Sequence, residues 1–321
     1  MEKRYRALSQ VLRGKFGQKV YKVSVDAGFC CPNKDGTISR KGCIFCDTLS
    51  FTPASTRGDK PLSTQLQAGM SYLAKRYRAE KFLAYLQPNS NTYGPVRGLE
   101  KTYRQLLSQP GVVGLCVASR PDLISNDVLD LLQELAQESY IWLELGLQSA
   151  HDITLKLINR GHDVQAFTNA VGHSQGRGIN ICAHVILGLP GESKQMMMAT
   201  AEFLSRAGIE GVKIHHLYVP VGTPLEEMYR QGQIRVLKLE EYVILVSEFL
   251  ENLSPQLIIH RLAASARRVH LVAPDWTANK LRVLVAIETE LSRRNSYQGK
   301  ARQSGPVDEI YPQTHKSSAH E

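Results

Sequence analysis

No stretch of the 321 residues is apolar for long enough to cross a bilayer, so the chain is not expected to meet a membrane. The opening segment, MEKRYRALSQVLRGKF, is basic but has neither the apolar core nor the small-residue cleavage site of a secretory signal. The expected location is the cytoplasm, where thiols stay reduced, and a structural disulfide among the six cysteines is disfavoured. No glycine-rich dinucleotide fingerprint follows the first strand candidate, which weakens a Rossmann reading. Heptads and short tandem repeats are also missing.

The remaining composition is that of a globular protein: 43% hydrophobic, 21% charged, formal net charge +9. The basic excess is uneven. Residues 1–22 carry seven Lys and Arg against Glu2, and residues 257–294 carry seven against three acids. Such clusters suit phosphate, although a solvated basic face is the plainer reading of charge alone.

Short apolar runs at 19–28, 81–87, 112–119, 140–148, 179–189 and 212–219 read as strands. Helical patterns separate them, at 63–77, 96–107, 126–137, within 151–176, and at 193–207. Strands hydrophobic along their whole length are expected in a parallel sheet covered on both faces. Six such units give an α/β fold with a right-handed parallel wind, as an open sheet or a barrel-like arc. Beyond residue 220, helices are expected at 223–233, 239–253 and 279–294, with one more strand at 256–262. The expected division is a basic segment over 1–14, a core over 15–255, a small basic α/β extension over 256–297, and a disordered tail over 298–321.

In a barrel or arc, chemistry gathers at the C-terminal ends of the strands. The first strand runs into DAGFCCPNKDGTISRKGCIFCDT, with cysteines at 30, 31, 43 and 46. Cys31, Cys43 and Cys46 give C-x11-C-x2-C. Cys43 and Cys46 are close enough to clamp one centre, and the long loop lets Cys31 return to it. Three thiolates suit a 4Fe–4S cluster with one iron left open. A structural zinc loop stays open as the alternative, although no CxxC or HxxxH partner occurs elsewhere. By spacing alone Cys30 can stand in for Cys31. Cys116 and Cys182 fall inside strands and read as small buried hydrophobes.

These features resemble the radical S-adenosylmethionine (radical SAM) superfamily, and within it the YhcC/YtqA-like proteins, relatives of the Elongator catalytic subunit. The segments that carry the likeness are FCCPNKDGTISRKGCIFC, LCVASRPD, WLELGLQSAHDITLKLINRGHD, HVILGLPGE and HRLAASARRVHLVAPDW. The resemblance implies a partial (βα)6 TIM-like barrel over roughly 15–255, with a 4Fe–4S cluster on Cys31, Cys43 and Cys46. It also implies S-adenosylmethionine at the open iron, a 5′-deoxyadenosyl radical, and a one-electron donor such as flavodoxin or ferredoxin.

By the same resemblance, Gln148 would meet the cofactor's ribose and Arg160 its carboxylate. His184 stands where coproporphyrinogen-type relatives carry an aspartate. Glu144 and Arg120 are further candidates, either for the cofactor or as an ion pair with each other. Gly188 and Gly191 would let the backbone approach the adenine, and Asn91 and Thr92 would meet the methionine end. The loop after Cys46 reads DTLSF and lacks the glycine pair that many relatives place beside the methionine. Of His215 and His216, strand alternation sends one inward.

The Elongator relatives make tRNA, at its wobble uridine, the leading substrate, with phosphates on Arg261, Arg267, Arg268 and Lys280 and with Trp276 as an aromatic contact. No acetyltransferase domain is recognisable in the C-terminal portion. Two other readings stay open: radical chemistry on a small metabolite or protein, and a zinc-stabilised RNA-binding protein without catalysis.

Overall fold

All seven expected strands form one parallel sheet. The structure, a computed structural model, describes residues 3–47 and 60–303. The strands are β1 (Val20–Val25), β2 (Lys81–Leu86), β3 (Val112–Ser119), β4 (Tyr140–Gln148), β5 (Asn180–Leu187), β6 (Gly211–His216) and β8 (Ile258–Arg261), in that order across the sheet and each parallel to its neighbours. Strand β8 lies in the segment expected as a separate extension, yet it is the last strand of the core sheet.

The sheet is curled. Flat, its outer strands would stand about 29 Å apart at ~4.8 Å per step. Instead Lys22 on β1 reaches His260 on β8, Nζ to Nδ1 at 3.2 Å. Side chains from opposite edges therefore meet inside an arc, in line with the partial barrel implied by the resemblance.

The outer face buries its leucine and valine rows under helices Leu62–Tyr77, Val96–Leu107, Asn126–Ala136, Val164–Ser174, Lys194–Arg206 and Leu239–Asn252. Three of these helices begin on a side-chain cap: Ser125, Asp163 and Ser193 each accept from a backbone N–H of the first turn.

The inner face is layered. At the bottom, Leu8 and Leu12 of helix α1 (Leu8–Phe16) pack on Leu83, Cys116, Trp142, Cys182 and Ile258 and plug the barrel. The N-terminal segment is thus more than a basic arm. Its Ala7 bridges to Ile259, and the Arg6 backbone N–H donates to Gln298 Oε1. Gln298 is itself buried and donates to the carbonyls of Ser254 and Leu257. The disorder expected from residue 298 onward is therefore corrected for 298–303, where Lys300–Gln303 form a 3-10 turn. The rest of that tail, 304–321, lies outside the described residues.

A two-stranded antiparallel sheet, β7 (Val219–Pro220) with β9 (Leu271–Ala273), sits beyond β6. It shares an apolar cluster with Ile158, Leu189 and Leu225, against which Ile44 and Phe45 pack. That cluster anchors the cysteine loop. No helix among the described residues is long and apolar enough to cross a membrane.

Candidate functional site

Above the apolar plug lies a layer of buried charge. Glu144, fully buried on β4, accepts from Lys22 and from His184 Nε2 at 2.7 Å, and Lys213 Nζ lies 3.0 Å away. Burial opposes ionisation of Glu144, but Lys213 and Lys22 hold it well below the usual carboxylate range. Burial, with Lys213 next in weight, pushes His184 down to about 4. Burial and Lys22 push His260 down to about 3, so both rings are neutral near pH 7. Lys213 also donates to Tyr85 Oη at 2.5 Å. An ion pair between Glu144 and Arg120, one of the two roles open to them, does not form. Arg120 forks onto Asp122 at 3.0 and 2.8 Å, two residues on, and its Nη1 donates to the Arg160 carbonyl at 2.7 Å.

This layer is the floor of a cavity open to solvent at the C-terminal ends of the strands. Cys31, Cys43 and Cys46 line one wall, and Cys30 does not. Local chemistry builds that wall. Cys31 precedes a short helix, Pro32–Asp35, that starts on proline and ends on Gly36 in the left-handed conformation. The Cys46 N–H closes a turn onto the Cys43 carbonyl, and Ile44 exchanges backbone bonds with Ile158 and Leu225. Asn159 Nδ2 holds the Gly42 carbonyl at 2.6 Å.

Arg160 and Gln148 line the same cavity. The Arg160 guanidinium donates to the Gly146 carbonyl at 3.2 and 2.7 Å and to the Cys43 sulfur at 3.5 Å. Gln148 sits at a register shift between β4 and β5 with φ 76°, a left-handed conformation that a side chain adopts only at a cost. The irregularity turns Gln148 toward the cavity at the strand's end.

Residues 35–204 match the Radical SAM superfamily, and residues 209–293 match the Radical_SAM C-terminal domain. The chain belongs to the radical SAM superfamily. It is 40% identical over 299 residues to the uncharacterized protein YtqA of Bacillus subtilis, covering 93% of each chain. It is 40% identical over 293 residues to protein YhcC of Escherichia coli, covering 90% of this chain and 93% of that one. Among solved structures, Elp3 of Methanocaldococcus infernus superposes with a TM-score of 0.65 at 18% identity, over 87% of this chain and 64% of that one, a likeness of fold. A sequence match to the tRNA uridine(34) acetyltransferase of the same organism is 28% over 151 residues, or 45% of this chain and 27% of that one.

The radical SAM family implies a 4Fe–4S cluster and S-adenosylmethionine, and the residues present suit both. The donor set on the cavity wall is all sulfur, as such clusters require. Asn33 Nδ2 and Arg160 Nη1 both donate toward Cys43, an arrangement that stabilises a thiolate. Burial raises the Cys46 thiol, and Lys34 opposes that shift.

Other candidates are placed differently. Asn91 donates to the carbonyls of Leu86, Pro88 and Ala118, and Thr92 bonds Ser119 and Leu123. Both are buried struts beneath the loop after β2, whereas Asn89 and Ser90 line the cavity. Gly188 and Gly191 adopt φ of 84° and 78° at the turn after β5 and are not among the lining residues.

The expected nucleic-acid set divides. Arg261 lines the cavity, while Arg267, Arg268 and Lys280 are exposed. Trp276 is no aromatic surface contact. It is 7% exposed, donates to the Leu237 carbonyl and stacks on Tyr242. His215 and His216 both line the cavity. Sequence reasoning passed over Lys22, Lys213 and His260 as a set. Their signal was ionisable residues inside otherwise apolar strands. The DTLSF comparison rests on residues 48–51, outside the described residues.

Proposed function

We propose that the cavity holds a 4Fe–4S cluster on Cys31, Cys43 and Cys46 with S-adenosylmethionine beside it, and that the reaction is performed on a nucleoside of tRNA. The observation that carries the first half is that Cys31, Cys43, Cys46, Gln148 and Arg160 all line one cavity. When bound, the reduced cluster supplies the electron that splits the sulfonium C–S bond and leaves a carbon radical able to take hydrogen from substrate. Flavodoxin or ferredoxin fits the role of electron donor.

The chain's own residues bind, orient and exclude water. Arg160, fixed by the Gly146 carbonyl, presents a guanidinium suited to a carboxylate. Gln148 offers both donor and acceptor to hydroxyls. Ile44 and Phe45, seated in the apolar cluster beside β7, close the cysteine wall against solvent.

Support for tRNA is the partial sequence likeness to tRNA uridine(34) acetyltransferases, which makes the wobble uridine side chain the leading target by analogy. Arg267 and Arg268 add a cationic edge two to three residues beyond Ser265 in the cavity wall. Acetyl transfer forms no part of the proposal.

The test is anaerobic reconstitution, reduction with S-adenosylmethionine present, and assay of 5′-deoxyadenosine. Product that disappears in Cys43→Ala supports the reading, and a protein that loads only zinc overturns it. For the substrate, an Arg267→Glu, Arg268→Glu double variant is expected to bind tRNA at least about tenfold more weakly, with a shallower salt dependence. Unchanged binding counts against this edge as the tRNA surface.

A further inference from the structure

Part of the cavity wall is formed by β6, β8 and the loop after β8. It carries more positive charge than its surroundings neutralise. Lys22, Lys213 and Arg261 face Glu144 as the one acid lining the cavity among the described residues. The histidines contribute no compensating charge. Burial, with Arg261 second, pushes His216 down to about 3 and His215 well below the ordinary range.

Arg261 is the member without a counter-ion. Its Nε donates to the Ala263 carbonyl and its Nη2 to Ser265 Oγ at 2.9 Å. Among the described residues no carboxylate lies within ion-pair distance of it. Arg261 is half-buried in the cavity wall, and its guanidinium is open to pairing with an incoming anion. Beside it, His216 is 1% exposed. Its Nε2 bonds Thr277 Oγ1 at 2.8 Å, and its Nδ1 is buried without a partner among the described residues.

The negative charge that three cluster thiolates bring has cations of its own. Arg160 and Lys34 stand on the cysteine side, so Lys213 and Arg261 remain for something else.

We propose that Arg261, Ser265, Lys213 and His216 form a binding site for an oxyanion of the substrate, a carboxylate or a phosphate, which orients the substrate within the cavity. The proposal rests on the radical SAM reading of the same cavity. It differs from the exposed Arg267–Arg268 edge, because this anion would be held inside the cavity, where a planar guanidinium fork discriminates by geometry.

The test is calorimetric titration of the reconstituted full chain with inorganic phosphate and, separately, acetate, at matched ionic strength. Saturable binding of at least one probe is expected. Arg261→Gln should weaken it at least about tenfold, the range for a charge-assisted hydrogen bond. Arg261→Lys should recover part of the loss, and the exposed control Arg97→Gln should bind as wild type. The preferred probe separates a phosphate-bearing from a carboxylate-bearing substrate. Should Arg261→Gln fail to fold, Ser265→Ala, which removes the hydroxyl beside the fork, is expected to weaken binding severalfold.

Equal binding by wild type and folded Arg261→Gln, or no saturable binding of either probe, overturns the proposal. The cluster's absorption and 5′-deoxyadenosine formation by wild type report on the radical reading alone, so the two can fail separately.

Discussion

Replacing Glu144 by glutamine removes one negative charge and almost no volume from the layer beneath the cavity. What remains is two ammonium groups with little access to water, the Lys22 side chain 20% exposed and Lys213 9%. Deleting one partner of a buried ion pair costs about 3–5 kcal/mol. Lys22 reaches some solvent, so the lower end applies, about 3 kcal/mol at pH 7. The loss should also depend on pH. Burial already pushes Lys213 below the ordinary lysine value, despite Glu144, and without the carboxylate it falls further. Between the lowered native value and the ordinary one, the unfolded chain binds more protons than the folded chain, so stability rises with pH. Urea unfolding of the variant at pH 7 and pH 9.5 should therefore show a deficit that shrinks at the higher pH. Adding Lys213→Met should recover part of it at pH 7, because the uncompensated charge is removed. A deficit below about 1 kcal/mol at pH 7, or one independent of pH, would refute the view that Glu144 holds this layer together.

Three further outcomes follow from other parts of the structure. A Cβ at Gly146 would stand 2.5 Å from Arg160 Nη2 and 2.7 Å from Gln148 Nε2, both ends of flexible side chains. Gly146→Ala should therefore change stability by about 1 kcal/mol or less while weakening S-adenosylmethionine binding at least about tenfold, read by equilibrium dialysis. Gln298→Ala deletes one acceptor and two donor bonds in a buried clasp, and should cost about 2 kcal/mol in urea unfolding. Acid should unfold the protein early. His184, held at about 4, and His216 and His260, held at about 3, stay neutral in the fold, whereas an unfolded histidine protonates near 6.5. The unfolded chain takes up more protons below that value, so stability is lost as pH falls from about 6.5 to 4, visible as a declining urea midpoint.

The sheet was readable because its strands are apolar along their whole length. The runs at 112–119 and 140–148 coincide with β3 and β4 to the residue. Helix α1 was hidden by the basic segment around it. Leu8 and Leu12 keep the four-residue spacing of one helix face, but a plug needs only two large side chains, and two make a faint periodic signal. The cysteine wall was legible from spacing, whereas the choice of Cys31 over Cys30 for the cavity depends on how the loop folds back on Ile158 and Leu225.

Trp276 sits among basic residues in sequence and among Tyr242 and His216 in space. Local composition does not report contacts made across more than thirty residues. Arg120 is held by Asp122, two residues on, and not by the distant Glu144. The partners of Glu144 come from four other strands, so no local window contains them.

The clasp between Arg6 and Gln298 has a bearing on how the chain is made. Helix α1 is synthesised before the sheet, but β8, to which Ala7 bridges, and the glutamine that pins Arg6 follow only after six other strands of the sheet. Lys22 likewise waits for Glu144, Lys213 and His260 while its strand is exposed. The early product is therefore an open sheet with a charged, unplugged interior, and the barrel floor is sealed only when residues near 298 arrive. Closure at so great a sequence separation is slow to reach by chain diffusion. A nascent chain stalled short of residue 298 should remain protease-sensitive, and one released a few residues beyond it should not.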